Sequence, residues 1–93
     1  MYEFDWDEAN LQHIARHAVT RAEVEEVFAG PMMFLDTDTD DGEMRFVEIG
    51  RTAVGRVLKV VTTDRRDKIR VITAFAPGPR EANEYRKQVL EQA

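Results

Sequence analysis

Residues 43–75, EMRFVEIGRTAVGRVLKVVTTDRRDKIRVITAF, decide the fold of this chain. They are rich in Val, Ile, Thr and Phe, and residues typical of turns interrupt them twice, which predicts three β-strands over about 43–51, 56–64 and 67–75. The breaks are TAVG at 52–55 and DRRD at 64–67, and the second predicts a two-residue hairpin loop at Arg65-Arg66. Because connections this short join antiparallel neighbours, the stretch predicts a β-meander.

The turns also predict which strand residues face each other. Arg51 is expected to pair with Arg56, and Asp64 with Asp67. One sheet face then carries an apolar set for helices to cover: Val47, Ile49, Leu58, Val60, Ile69 and Val71. The opposite face carries charges between apolar residues: Phe46, Glu48, Val57, Lys59, Val61, Arg70 and Ile72. In this register Glu48 lies opposite Lys59, roughly 5 Å away, and Arg70 lies one strand further.

Before residue 43 the sequence predicts two helices and two strands. Residues 2–6 alternate between apolar and acidic, which predicts a short strand, and Asp5 or Asp7 can N-cap a helix as far as about residue 16. Thr20 and Glu23 form a capping box for a second helix, which Gly30-Pro31 ends. The apolar run at 32–35 predicts a buried strand, and DTDTDDG at 36–42 predicts a polar loop.

After residue 75 the breaker APGP precedes a last helix that begins near Pro79 and carries Tyr85 on its inner side. The complete order is β-α-α-β-β-β-β-α. It predicts an α+β fold with an antiparallel meander sheet and helices packed on one face.

Length and composition indicate one domain over residues 1–93, without disulfides because the sequence has no Cys. No apolar run approaches the roughly 20 residues of a membrane span, and the acidic N-terminus is unlike a signal peptide. We therefore expect a cytoplasmic protein without a membrane partner. The net charge of −5 weighs against a nucleic-acid binder, but 10 of the 13 Lys and Arg residues fall in 45–86, so a local basic patch stays open.

Two patterns that could suggest a metal site are weak. The Asp-rich loop at 36–42 resembles part of an EF-hand, but strand patterns flank it and no Glu stands at the twelfth position. His13 and His17 are four residues apart on a predicted helix, without the HExxH pattern or a third ligand nearby. We expect neither a metal nor another cofactor.

Glu48, Lys59 and Arg70 form the main candidate site. From the residues alone, a cross-strand ion pair on a solvated sheet face is the simpler account, at a value of at most about 1 kcal/mol. The functional alternative is a groove that holds a phosphodiester. Lys59 and Arg70 would then stabilise developing negative charge while Glu48 moves a proton.

Several segments together resemble the BrnT toxins of bacterial type II toxin–antitoxin modules. They are Phe4-Asp5-Trp6-Asp7-Glu8-Ala9, Arg16-His17-Ala18-Val19-Thr20, Glu25-Glu26-Val27-Phe28, Glu43-x-Arg45-x3-Ile49-Gly50-Arg51, Ile69-Arg70-Val71-Ile72-Thr73-Ala74 and Arg80-Glu81-x3-Tyr85. Each motif alone is short, and their order and spacing carry the resemblance. Ala18 stands where the family usually has Gly, and the run after Phe75 is poorer in basic residues than in many members.

The resemblance implies a fold similar to the RelE-type ribonucleases, metal-independent cleavage of RNA, and neutralisation by an antitoxin of the BrnA type. It implies contact with operator DNA only through that antitoxin. By motif it places the family's sheet residues on Arg70, Glu48 and Lys59, and Arg80 and Tyr85 match its last segment. We expect Glu48, Lys59, Arg70 and Arg80 to be catalytic, and Arg51, Lys68 and Tyr85 to contact RNA. For His17, which also matches a family position, we favour a structural role at the end of the helix.

Two functions therefore remain open. The first is an endoribonuclease toxin. The second is a non-catalytic module that binds the antitoxin or acts as a co-repressor, with a decayed active site.

Overall fold

The computed structural model of the chain describes residues 2–91. Two helices, α1 (Glu8–Ala15) and α2 (Arg21–Ala29), precede four strands. The strands are β1 (Met32–Asp40), β2 (Glu43–Arg51), β3 (Val57–Arg65) and β4 (Lys68–Phe75), and they pair antiparallel in chain order. The chain then forms α3 (Pro79–Tyr85), which continues as a π-helical turn over Arg86–Leu90. The predicted α+β fold with an antiparallel meander is confirmed.

Both predicted N-terminal caps form. The Asn10 amide N–H donates to the Asp7 carboxylate over 3.0 Å, and the Asp7 N–H donates back to the Asn10 side chain over 2.9 Å. Thr20 and Glu23 make the same reciprocal pair. After α1 the chain turns at Ala18, whose φ of 57° lies in the left-handed region that favours glycine. This conformation explains why glycine is usual at that position in the family that the chain resembles.

The predicted first strand is reduced to a single bridge. Phe4 pairs in parallel with Ile69 at the edge of β4. The Asp5 N–H donates to the Ile69 carbonyl and the Ile69 N–H donates to the Glu3 carbonyl, both over 2.8 Å. We call residues 3–7 the N-terminal strap, because they run along the free edge of β4 without forming a full strand.

The predicted polar loop at 36–42 is wrong, because β1 continues through these acidic residues to Asp40. Only Asp41-Gly42 forms the turn, with φ of 52° and 80°. Both values are positive, as in the type I′ hairpins that Asp-Gly favours. Since β1 is an edge strand, its acidic side chains remain in water, and their low strand propensity is tolerated.

The predicted register between β2 and β3 is wrong by one residue. Arg51 pairs with Val57, not Arg56, and Glu48 therefore pairs with Val60 and Ile49 with Lys59. Arg56 belongs to the loop instead, where its guanidinium donates to the Ala18 carbonyl at 2.7 Å and to Glu23 at 2.9 Å. A slip of one residue exchanges the two faces of a strand, so every β2 side chain lies on the face opposite to the one predicted.

Between β3 and β4 the hairpin loop is Arg66-Asp67, one residue later than predicted, and Arg65 pairs with Lys68. Moving a two-residue loop by one position changes the pairing by two residues, which leaves the faces of both strands as predicted near the turn. Arg66 and Asp67 have φ of 53° and 65°. The loop therefore places two non-glycine residues in the left-handed region that glycine adopts most easily.

The helices divide between the two faces of the sheet, which corrects the expectation that they share one face. Helices α1 and α2 pack against Leu58, Val60 and Val71, and we call this side the α1/α2 face. Helix α3 and the turn after it cover Ile49 and Val57 on the other side, the α3 face. Gly50 permits the close approach of α2, since a Cβ there would lie 2.7 Å from Val27 Cγ1.

Candidate functional site

Helix α3 covers only the end of its face near Ile49 and Val57, and leaves the rest of that face uncovered. Alternation along the strands and the observed pairing place the following β2, β3 and β4 side chains on the uncovered part: Arg45, Val47, Lys59, Val61, Arg65, Lys68, Arg70 and Thr73. The acids Asp36, Asp38 and Asp40 of β1 lie on the same face, and Asp40 pairs with Arg45 at 3.1 Å. We call this surface the open face. Lys59 and Arg70 share it, as predicted, with apolar residues between them.

Lys59 lies where the open face meets α3. Its ammonium is 3.0 Å from both carboxylate oxygens of Glu81, and it lies 5.9 Å from the centroid of the Phe75 ring. The Lys59 side chain is 22% exposed, so the cation is accessible without being fully hydrated. Together these three residues form one end of an open groove of about 530 Å³ whose other lining residues are Leu35, Asp36, Val47 and Val61.

Arg70 lies toward the other end of the open face. It pairs with Thr63, which is four residues along β3 from Lys59, or roughly 13 Å at the rise of a strand. Its guanidinium lies 2.9 Å from Asp7 and 3.7 Å from Asp5, and its side chain is 15% exposed. The pKa of Asp7 is lowered, first by the hydrogen bond from the Asn10 N–H and then by the one from Arg70. Arg70 thus fastens the N-terminal strap to the sheet.

Glu48 is not part of this site, which corrects the predicted cluster. Because of the register slip it lies on the α1/α2 face, in a groove that is also lined by Tyr2, Phe28, Phe46, Thr62, Asp64 and Ile69. Burial raises the pKa of the Glu48 carboxyl. The carboxylate beside Lys59 is that of Glu81 instead.

A family model described as "Ribonuclease toxin, BrnT, of type II toxin-antitoxin system" matches residues 6–86. The chain belongs to the BrnT toxin family. No individual curated protein matches it. The matched range contains Lys59, Phe75, Glu81 and Arg70, so the open face and its groove lie within the BrnT domain.

Tyr85 of this BrnT domain is a core residue, which corrects its predicted place in contact with RNA. Its side chain is fully buried, and its hydroxyl donates to the Pro31 carbonyl at 2.6 Å. Burial raises the pKa of Tyr85, and the charge of Arg51 acts in the opposite direction. The Tyr of the R-E-x3-Y motif therefore holds α3 on the sheet.

The other predicted residues lie at three separate places. Arg80 is exposed in the first turn of α3, next to Glu81. Lys68 is exposed at the β3–β4 turn, where it shares a cleft of about 300 Å³ with Arg65, Arg66 and Asp5. Arg51 is partly buried, and its Nε has no hydrogen-bond partner among residues 2–91.

Sequence reasoning missed Glu81 and Phe75. Glu81 stands inside the Arg80-Glu81-x3-Tyr85 motif, and an acid in the first turn of a helix is readily explained by the helix dipole. Its pairing with Lys59 depends on how α3 crosses the sheet, which the motif does not encode. His17 packs against Phe75, with ring centroids 5.8 Å apart, but it is not among the residues that line the groove.

Within residues 2–91 the His, Asp and Glu side chains form no group of three or more with the geometry to hold a metal ion. In the same range no helix has the length and apolar character that a membrane crossing requires.

Proposed function

We propose that this BrnT protein is a cytoplasmic endoribonuclease toxin that cleaves RNA without a metal ion, in the groove between Lys59, Phe75 and Glu81. The observation that carries the proposal is the Lys59–Glu81 pair at 3.0 Å beside an aromatic ring, at the edge of an uncovered sheet face. A carboxylate can move a proton, an ammonium can stabilise developing negative charge and an aromatic ring can stack on a base, and together these groups can support cleavage of a phosphodiester.

In the proposed reaction the Glu81 carboxylate accepts the proton of a ribose 2′-hydroxyl. The 2′-oxygen attacks the adjacent phosphorus, and the bond from phosphorus to the 5′-oxygen breaks. Lys59 stabilises the negative charge that develops on the phosphoryl oxygens. The 5′-oxygen takes a proton from water as it leaves, Glu81 returns its proton to the solvent, and the products are a 2′,3′-cyclic phosphate and a 5′-hydroxyl. Arg80 adds positive charge beside Glu81.

Substrate binding would use the aromatic and basic side chains around the groove. Phe75 offers a ring on which a base can stack. Lys68 and its neighbours at the β3–β4 turn provide cations for phosphates further along the strand, and Arg51 adds positive charge beneath α3. Arg70 is proposed as a positioning residue, since Asp5 and Asp7 already occupy its guanidinium.

The proposed partner is an antitoxin of the BrnA type that covers the open face and hides Lys59 and Arg70. A surface that combines apolar residues with cations and with the acids of β1 suits a partner with complementary charges and apolar anchors. In this proposal the toxin contacts operator DNA only through the antitoxin.

The second candidate is a non-catalytic module that binds the antitoxin. One observation favours it: both cations of the predicted site are already paired with acids, Lys59 with Glu81 and Arg70 with Asp5 and Asp7. RNA phosphates would have to compete with these carboxylates.

The deciding experiment is cleavage of a single-stranded RNA by the purified protein in EDTA, together with growth of cells that express it alone. We expect cleavage and growth arrest from the wild type, both lost in Lys59→Ala. Lys87→Ala removes an exposed cation from the turn after α3 and serves as the control. A wild type that neither cleaves RNA nor arrests growth would support the binding module.

A further inference from the structure

The α1/α2 face has its own uncovered region, on the side of the sheet away from Lys59. Helices α1 and α2 pack over Leu58, Val60 and Val71, and the side chains nearer β1 and the N-terminus are more exposed. They are Tyr2, Phe34, Met44, Phe46, Glu48 and Asp64, and we call them the Glu48 patch. Nothing in the proposed reaction uses them.

The patch exposes large apolar side chains. Tyr2 is 57% exposed, Phe34 57% and Met44 55%, and Val54 is the only other large apolar residue so exposed within the described chain. Phe34 pairs with Glu48 across β1 and β2, and Met44 and Phe46 share its face because strand side chains alternate. Aromatic and Met side chains gathered on one surface are typical of a protein-binding site.

Glu48 places a negative charge in the middle of this apolar surface. It is partly buried, and its carboxylate makes no hydrogen bond or ion pair with another side chain within residues 2–91. The other acid of the groove, Asp64, also lacks an ion pair there. A second groove adjoins this one between the N-terminal residues Tyr2 and Phe4 and helix α2. Its two charged residues, Arg21 and Glu25, pair with each other at 3.1 Å, so their charges compensate. The unpaired charge of the region is therefore negative.

We propose that the Glu48 patch docks a segment of a partner protein in which a Lys or Arg side chain is flanked by apolar residues. The cation pairs with the Glu48 carboxylate, and its aliphatic stem lies across Phe46 and Tyr2. The flanking apolar residues cover Phe34 and Met44. A carboxylate that has already lost much of its hydration gains more from such a partner than an exposed one does. The surface lies on the sheet face opposite Lys59, so this proposal does not depend on the proposed reaction.

The test uses the full chain labelled with ¹⁵N and two short probes, acetyl-Leu-Arg-Leu-amide and the same peptide with citrulline in place of Arg. Citrulline keeps the shape of arginine and removes its charge. We expect amide shifts at Phe46, Glu48 and Thr62 with the arginine peptide, and roughly tenfold weaker binding of the citrulline peptide, the usual effect of losing one charged hydrogen bond.

Variants locate the binding. Glu48→Gln should weaken binding of the arginine peptide until it equals that of the citrulline peptide, and Phe34→Ser should weaken binding of both peptides. Glu84→Gln, an exposed acid on α3, should change neither. The proposal is overturned if shifts are absent at about 10 mM peptide, if the two peptides bind equally, or if shifts centre on the acids of β1. Self-association of the wild type that Phe34→Ser abolishes would assign the patch to a second copy of the chain and would also overturn it.

Discussion

Glu48 and Lys59 lie on opposite faces of the sheet, because Glu48 pairs with Val60 and Lys59 pairs with Ile49. The carboxylate that meets the Lys59 ammonium comes instead from Glu81, in the first turn of α3. The proposed reaction therefore depends on how α3 is docked on the sheet as well as on the strands.

The first prediction concerns activity. Lys59→Ala should lower the rate of RNA cleavage by about 10²–10³, because it removes the charge that stabilises the transition state. Glu81→Gln should lower it by about 10²–10⁴, the usual contribution of a general base. Rates on a single-stranded RNA in EDTA, with folding checked by circular dichroism, measure both. A larger loss in Glu48→Gln than in Glu81→Gln would restore Glu48 as the base.

The second prediction separates stability from catalysis at Arg70. Arg70→Ala should lower the melting temperature more than Arg80→Ala does, because Arg70 is 15% exposed and holds two acids of the N-terminal strap, whereas Arg80 is exposed. Arg70→Lys should recover only part of the loss, since an ammonium cannot reproduce the guanidinium fork. Equal melting temperatures for Arg70→Ala and the wild type would return Arg70 to a purely functional role.

The third prediction concerns the end of α1. Ala18→Gly should stabilise the fold by about 0.5–1 kcal/mol. The substitution removes the strain of an alanine in the left-handed conformation, and this gain is larger than the entropy that glycine adds to the unfolded chain. Urea unfolding measures the change. The matched control is Ala15→Gly at the exposed last residue of α1, where no left-handed strain is relieved, so the added entropy of glycine should destabilise by up to about 1 kcal/mol. If both glycines destabilise equally, the turn is not strained.

The fourth prediction concerns pH. Burial raises the pKa of Glu48 in the folded state. The stabilising contribution of its protonated form is therefore fully present below the unfolded pKa and is lost as pH rises through the folded pKa. Glu48→Gln should accordingly be more stable than the wild type at pH 7, and the difference should vanish at a pH below about 4.

The pKa of Glu23 shifts in the opposite direction to that of Glu48. Burial alone would raise its pKa, but hydrogen bonds from Arg56 and Thr20 outweigh burial and lower it. Glu23→Gln should therefore be less stable than the wild type at pH 7, and the difference should shrink as pH falls through the folded pKa. Unfolding curves for both variants between pH 3 and pH 8 test the pair. Parallel pH profiles for the two would contradict the prediction.

The fifth prediction concerns Tyr85. Tyr85→Phe removes the hydrogen bond from the buried Tyr85 side chain to the Pro31 carbonyl and should cost about 0.5–1.5 kcal/mol, which corresponds to a fall in melting temperature of roughly 4–8 °C per kcal/mol for a domain of this size. Thermal unfolding measures the loss. RNA binding by the folded fraction should match the wild type. A variant with wild-type stability and weakened RNA binding would support the contact that the sequence had suggested.

The sequence predicted most elements of the fold, because caps, turns and strand composition are local. Asp7, Thr20 and Gly30 begin or end helices as expected. It could not predict the slip of β2, which arises because Arg56 leaves the strand to bind Glu23 and the Ala18 carbonyl. Those partners lie more than 30 residues earlier in the chain, and no local pattern links them to the turn.

The candidate site was predicted less well, for the same physical reason. Lys59 and Arg70 were correctly placed on one surface. Moving the hairpin loop by one residue shifts the β3–β4 pairing by two, so the side chains of both strands stay on the predicted faces. Glu48 was misplaced because a shift of one residue has the opposite effect. Tyr85 and Glu81 share one motif, and only the docking of α3 decides that the first is buried while the second meets Lys59.

The link between the N-terminal strap and β4 joins residues that are far apart in the order of synthesis. Asp5 and Arg70 are 65 positions apart, whereas each hairpin of the meander closes within a few residues and therefore forms early. The N-terminal strap is translated first but can dock only after β4 has been made. Likewise, Lys59 can form its ion pair only after Glu81 has been made. A ribosome making this protein would thus have decoded nearly all of the described chain before the proposed groove could exist. The proposed cleavage activity would therefore be absent from a nascent chain until α3 has been made.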